Sequence, residues 1–170
     1  MTTISMYQAC VPVCTRALRN LRAVLQKGEA FATEKGVAGD VVLQTRLVLD
    51  MLPLVRQVQI ATDMAKNGAC RLAGVEPPKF EDDETGFEQL YARIDRAIAV
   101  LEGLAPEQVD GSESRAITLQ MRTGEMKFQG QEYLLGFVLP NLFFHCTTSY
   151  VILREAGAPI GKTDFIGVTG

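Results

Sequence analysis

The chain has one histidine, His145, and only four cysteines among its 170 residues. Zinc centres usually take at least three ligands from histidine, cysteine and carboxylate side chains. A lone histidine therefore argues against a histidine-rich metal centre, and a metal would need further ligands from distant parts of the chain. The candidate further ligands are Asp50, Asp63, Cys146, Cys10 and Cys14.

The sequence also lacks an excess of positive charge. Its 17 lysines and arginines are balanced by 20 acidic residues, giving a formal net charge of -3. Binding to nucleic acid or to anionic lipid usually leaves a basic patch, so neither partner is expected. The segment Met1–Met6 shows no basic region followed by an apolar run, so we expect a cytoplasmic protein with reduced thiols.

Several catalytic motifs are missing as well. The sequence contains no glycine-rich phosphate loop, no nucleophile-elbow serine and no HExxH pattern. It gives no support to the enzyme classes that depend on these motifs.

One long apolar stretch, residues 133–153, contains no Asp, Glu, Lys or Arg. About 20 apolar residues are enough to span a bilayer. This stretch is interrupted by Pro140, Asn141 and His145, and no basic cluster follows it. We therefore expect a helix at the centre of a bundle or at an oligomer interface, not a membrane span.

Hydrophobic periodicity predicts four long helices and one hairpin. The first helix starts after Ser5, and the second is capped by Asp50 and ends at Gly74. Alternating residues on either side of a turn at 122–125 predict a β-hairpin. The predicted elements are helices at about 6–36, 51–73, 87–103 and 131–156, and a hairpin at 115–128. We predict an all-α four-helix bundle in one domain (1–170), with the hairpin before the last helix.

The one cluster with chemical potential lies on the last predicted helix. Asn141 and His145 are four residues apart and share a helix face with apolar neighbours. Buried amide and imidazole groups need hydrogen-bond partners. Pro140 should free the carbonyl of Gly136, so the pair either satisfies backbone beside a kink or lines a ligand pocket. Further candidate partners are Tyr7, Tyr150, Gln57 and Gln59.

Several segments together resemble a bacterial family of unknown function within the DinB/YfiT-like superfamily, over nearly the whole chain. The segments that carry the resemblance are Ser5-Met6-Tyr7, Val11-Pro12-Val13, Arg46-Leu47, Asp50-Met51, Pro53-Leu54, residues 56–59, 72–78 and 130–134, Pro140-Asn141, His145, Leu153-Arg154 and Ile160-Gly161-Lys162.

The resemblance implies a DinB-type bundle that is often dimeric. In that superfamily, a histidine on the second helix and an HxxxH pair on the last helix hold a divalent metal, and some members are thiol-dependent transferases and isomerases. Asn141 and His145 match the HxxxH positions, and Gln57 or Gln59 falls where the second-helix histidine belongs. Amides replacing two imidazoles should weaken zinc binding by orders of magnitude.

We therefore predict a bundle whose internal polar pocket binds a small molecule without a metal or other cofactor. Its expected ligand-binding residues are Gln57, Gln59, Asn141, His145 and Tyr150. Two alternatives remain open: a metal- or thiol-dependent transferase or isomerase with His145 as ligand or base, and a purely structural dimerisation module. A homodimer is expected in each case.

Overall fold

The computed structural model describes residues 3–121 and 123–167. In chain order its elements are α1 (Met6–Glu34), α2 (Gly39–Leu43), α3 (Leu54–Ala73), α4 (Phe87–Glu102), α5 (Pro106–Val109), β1 (Ala116–Met121), β2 (Gly124–Gln129), α6 (Gly130–Glu155) and α7 (Lys162–Ile166). The protein is thus mostly helical, with a small antiparallel hairpin before its last long helix.

The long helices α1, α3, α4 and α6 enclose the core. α3 packs against α6 and α4, while α1 packs against α4 and α6. Their apolar stripes, spaced three and four residues apart, meet in one continuous cluster of buried side chains. Ala61, Ala65 and Ala69 on α3 are fully buried, and their small side chains suit close packing of helices.

The predicted helix boundaries are partly confirmed. Ser5 caps α1 in a capping box with Gln8, and Gly74 ends α3 with a φ of 71°. The prediction that Asp50 caps α3 is wrong, because α3 starts at Leu54 and its N-cap position is Pro53. The residue before a proline is disfavoured in helical conformation, which opposes extending the helix back through Leu52 toward Asp50.

The hairpin is confirmed. β1 pairs with β2 in antiparallel register, and Leu119 lies opposite Met126. Ile117 and Leu119 are buried, so one face of the hairpin completes the core. Of the predicted turn, Arg122 lies outside the described residues.

Helix α6 contains the predicted irregularity at Pro140. Its first turn, Gly130–Tyr133, leads into a π-helical segment at Leu134–Val138, and the α-helical part is Leu139–Glu155. Such π segments are rare and often occur at functional sites. Here the segment comes directly before Pro140, which lacks a backbone donor, and proline and π segments are both known causes of helix irregularity.

Helix α6 is long and apolar enough to cross a membrane by length and composition, although only 33% of its most apolar stretch is buried. It contacts α1 and α3 along its length and carries buried Thr148 and Ser149. These features are compatible with a soluble protein whose helix is covered on one side.

Candidate functional site

The histidine of α6 and a glutamine of α3 meet in the interior. His145 Nδ1 lies 2.7 Å from Gln57 Oε1, across the contact between the two helices. Gln57 is 2% exposed and His145 is half-buried. The two helices therefore hold this pair in a fixed orientation and leave one side of the imidazole accessible.

The second hydrogen bond of Gln57 determines the tautomer of His145. Gln57 Nε2 donates to the carbonyl of Leu52 at 3.0 Å, so the amide oxygen is the atom that faces the imidazole. An oxygen can only accept, which requires that Nδ1 carry the proton. Nε2 of the neutral ring then has a free lone pair, and no described residue forms a hydrogen bond with it.

The protein environment keeps His145 neutral. Burial lowers the pKa of His145 below its usual 6.5, because the low-dielectric surroundings penalise the charged ring. At neutral pH the ring is therefore an acceptor at Nε2 and a donor at Nδ1. A neutral, oriented imidazole can accept a proton or a hydrogen bond from a ligand.

Asn141 has a local role. Its Nδ2 donates to the carbonyl of Phe137 at 2.7 Å, within the same helix. Asn141 thus bonds to backbone beside Pro140, but the carbonyl is that of Phe137 and not the Gly136 carbonyl that the sequence suggested. Asn141 is half-buried and its side chain is not bonded to His145.

Two other predicted pocket residues, Gln59 and Tyr150, lie elsewhere, as does the candidate partner Tyr7. Gln59 Nε2 donates to Glu84 Oε2 at 2.8 Å, in a different buried cluster. Tyr150 contacts Phe165 edge-on, with ring centroids 5.9 Å apart. The backbone N–H of Tyr7 donates to Asp110. The structure therefore brings together only Gln57 and His145, and it selects Gln57 as the α3 partner of the histidine.

The residues at this position do not fit a zinc centre. The donor set would be one imidazole nitrogen and two amides, and the amide of Asn141 is already bonded to backbone. Within the described residues no group of three or more His, Cys, Asp or Glu side chains could hold a metal ion.

The candidate metal ligands from other segments are also unsuited. Cys10, Cys14 and Cys146 are buried, and burial raises the pKa of Cys146 to about 12. A thiol must lose its proton to bind a metal, so this pKa disfavours binding. Asp63 forms ion pairs with Lys66 and Arg93, and Asp50 is exposed.

A groove of about 390 Å³ borders the His145 site. Its lining is mainly apolar and consists of Leu47, Pro140, Phe143, Phe144, Thr147, Thr148 and Val151. His145 itself does not line it, but the ring of Phe144 meets the imidazole edge-on at a centroid distance of 5.2 Å. The groove and the histidine are thus joined through Phe144.

The sequence reasoning missed a buried ionic cluster, which we call the Arg93 cluster. Arg93 has no exposed surface, and its guanidinium pairs with Glu84, Asp63 and Asp82 at 3.0–3.1 Å. It also donates to Thr62 Oγ1 and to the Glu81 carbonyl, both at 2.8 Å. The sequence did contain an indication that Arg93 is buried, because Arg93 lies three residues after Leu90 on the apolar stripe of α4.

The Arg93 cluster fixes the connection between α3 and α4. Lys66 is 2% exposed and donates to the Pro78 carbonyl at 2.7 Å, and its ammonium lies 4.4 Å from the centroid of Phe80. Paired buried charges and satisfied donors are the expected way to bury such groups. We assign this cluster a structural role.

Comparisons with known proteins agree with this fold. A family model described as "Domain of unknown function (DUF1993)" matches residues 6–166. The chain is similar to a solved DinB family member protein from Shewanella denitrificans, with 38% sequence identity and a TM-score of 0.88. The match covers 96% of this chain and 92% of that one. No curated protein matches the chain.

Proposed function

Because the chain belongs to the DUF1993 family, whose model matches residues 6–166, we propose that it is a DinB-like four-helix bundle that binds a small molecule without a metal. The polar contact is made by Nε2 of His145. The supporting observation is the hydrogen bond from Nδ1 to Gln57, whose own orientation is set by the Leu52 carbonyl. We also propose that the protein is bacterial and cytoplasmic.

The ligand class follows from the two parts of the site. A neutral Nε2 accepts a hydrogen bond, so the ligand carries a hydroxyl, thiol or amine donor. Phe144 and the apolar groove next to it suit an aromatic or aliphatic body. Pockets of this kind combine an apolar lining with a few oriented polar groups.

Benzyl alcohol and toluene form a matched pair of probes for this proposal, since they differ by the hydroxymethyl group. We expect benzyl alcohol to bind more tightly, by roughly 3- to 10-fold, the usual value of one net hydrogen bond. The preference should disappear in His145→Leu and persist in the control Thr147→Val. Titration by ligand-observed NMR measures both affinities, and equal affinities in the unchanged protein would refute the proposed contact.

The metal alternative has its own test. Elemental analysis of protein purified without an affinity tag should find no stoichiometric zinc, nickel or iron. Stoichiometric metal that is lost in His145→Ala would contradict metal-free binding.

A second candidate function uses the same tautomer. A neutral imidazole oriented by a neighbouring group is the arrangement of a general base, so His145 could deprotonate a thiol in a transferase or isomerase reaction. Turnover with a low-molecular-weight thiol that is lost in His145→Ala, with an unchanged melting temperature, would establish this activity.

We also propose that the protein is a homodimer through the uncovered face of α6. Phe144, Phe143 and Val151 are 57%, 39% and 37% exposed and line the same groove, so they form one apolar surface and are not isolated exposed residues. We expect light scattering at micromolar concentration to give twice the 18.6 kDa chain mass, and Phe144→Glu to give the monomer. A monomeric mass of the unchanged protein would rule out this interface. A dimer without any ligand would favour the purely structural role.

A further inference from the structure

A second cavity, in addition to the groove lined by Phe144, lies between α1, α6 and α7. We call it the α7 cavity. Its volume is about 300 Å³. The α1 side is apolar and is formed by Val13, Ala17, Leu21 and Val24, while α6 contributes Phe143 and Cys146. A dry apolar cavity of about 150 Å³ can take up benzene, so this one has room for a bicyclic aromatic group.

Helix α7 covers the cavity with Phe165 and Ile166. It is held by side chains of α1. Asn20 Nδ2 donates to the carbonyls of Phe165 and Ile166 at 3.1 and 2.6 Å, and Lys27 forms an ion pair with Asp164. The cover is therefore attached through polar contacts at its edge, and the interior remains apolar.

Among the described residues that line the cavity, Arg16 is the charged one. It is exposed, so the cavity reaches the surface on that side. Its Nη2 donates to the Ile166 carbonyl at 3.1 Å, and Arg16 forms no ion pair with any described residue. By contrast, Arg19 and Arg22 on the same helix are paired with Glu102 and Asp95. The guanidinium retains donors for an anionic group.

From the apolar interior and a rim guanidinium that has no ion pair within residues 3–121 and 123–167, we propose that the α7 cavity binds a monocarboxylate with a bulky apolar body. The body lies between α1 and α6 beneath Phe165, and the carboxylate pairs with Arg16. Cys146 contributes as a neutral thiol and forms no bond with the ligand. This site shares Phe143 with the groove beside His145, but it is built on α1 and α7 and does not use the His145–Gln57 pair.

2-Naphthoate and 2-naphthalenemethanol test the proposal as charged and neutral probes of one shape. The sequence has no tryptophan, so naphthalene fluorescence reports binding without interference from indole. We expect 2-naphthoate to bind with a dissociation constant of about 1 mM or tighter. The alcohol should bind about 3- to 10-fold more weakly, since one exposed ion pair contributes little more.

Three variants locate the site. Ala17→Phe fills the cavity and should weaken 2-naphthoate at least 10-fold, while Ala23→Phe, on the exposed face of the same helix, should leave it unchanged. Val13 is half-buried, so Val13→Phe would fill the cavity from its rim. This variant replaces Ala17→Phe in the experiment if Ala17→Phe does not fold. Arg16→Gln should remove the preference for the carboxylate and spare the alcohol.

Three results would overturn the proposal. The first is the absence of saturable binding of 2-naphthoate to the unchanged protein. The second is binding that survives a folded cavity-filling variant. The third is equal affinity for the two probes, which would remove the assigned role of Arg16.

Discussion

Replacing Arg93 with methionine is expected to lower the free energy of unfolding by about 3–5 kcal/mol, the usual cost of removing one partner of a buried ion pair. Arg93 is fully buried, and the Glu84 side chain opposite it is 3% exposed, so that carboxylate would keep only the long 4.0 Å contact to Arg96 as a counter-charge. Asp63 and Asp82 are partly exposed and can regain water. Urea denaturation followed by circular dichroism measures the change.

Arg96 offers a matched control on the same helix. Its side chain is 58% exposed, and its guanidinium is 4.0 Å from Glu84. Like the guanidinium of Arg93, it lies over the ring of Phe80. Arg96→Met should change stability by no more than about 0.5–1 kcal/mol. If Arg93→Met were as mild as Arg96→Met, the structural role of the Arg93 cluster would be wrong.

Gly130→Ala is the second substitution with a large expected effect. A Cβ at this position would lie 1.9 Å from the backbone carbonyl oxygen of Ser112. The backbone around Ser112 is fixed, because Arg115 donates to that same carbonyl and Gln131 donates to Glu113. The Ser112 carbonyl and the Gly130 backbone cannot move apart without breaking the hydrogen bonds that join the hairpin to α6. We expect a loss of about 2–3 kcal/mol, at the upper end of overpacking effects.

The control for this change is Gly136→Ala in the same helix. Gly136 is exposed and an added Cβ would meet no atom within 4 Å. Alanine is favoured over glycine in a helix by up to about 1 kcal/mol, so Gly136→Ala should be neutral or stabilising. Thermal unfolding of both variants would compare them directly, and equal stabilities would contradict the close approach at Gly130.

Much of the fold could be predicted from local chemistry. Helical periodicity, the cap at Ser5, the stop at Gly74 and the alternation in the hairpin all act over a few residues. The start of α3 was misjudged because Asp50 is a good cap residue in isolation, whereas Pro53 restricts the residue before it. The five-residue α7 was not predicted, because its position depends on contacts with Asn20 and Lys27 far away in sequence.

The site was predicted less completely for a related reason. Spacing puts Asn141 and His145 on one face of α6, but the partner of His145 depends on packing against α3, whereas Asn141 bonds to Phe137 within its own helix. Gln57 and Gln59 are two residues apart on α3, and only the packing sends one toward His145 and the other toward Glu84. The burial of Arg93 was not predicted because a charged residue usually faces solvent, even where its position falls on an apolar stripe.

The central claim is that Gln57 fixes His145 as the neutral tautomer protonated at Nδ1. Because the chain has one histidine, long-range ¹H–¹⁵N correlation spectra of labelled protein report this ring without assignment. The account predicts a protonated Nδ1 and an unprotonated Nε2 above pH 7, a titration midpoint below 6.5, and loss of the tautomer preference in Gln57→Leu. A ring protonated at Nε2, or a midpoint at or above 6.5, would contradict it.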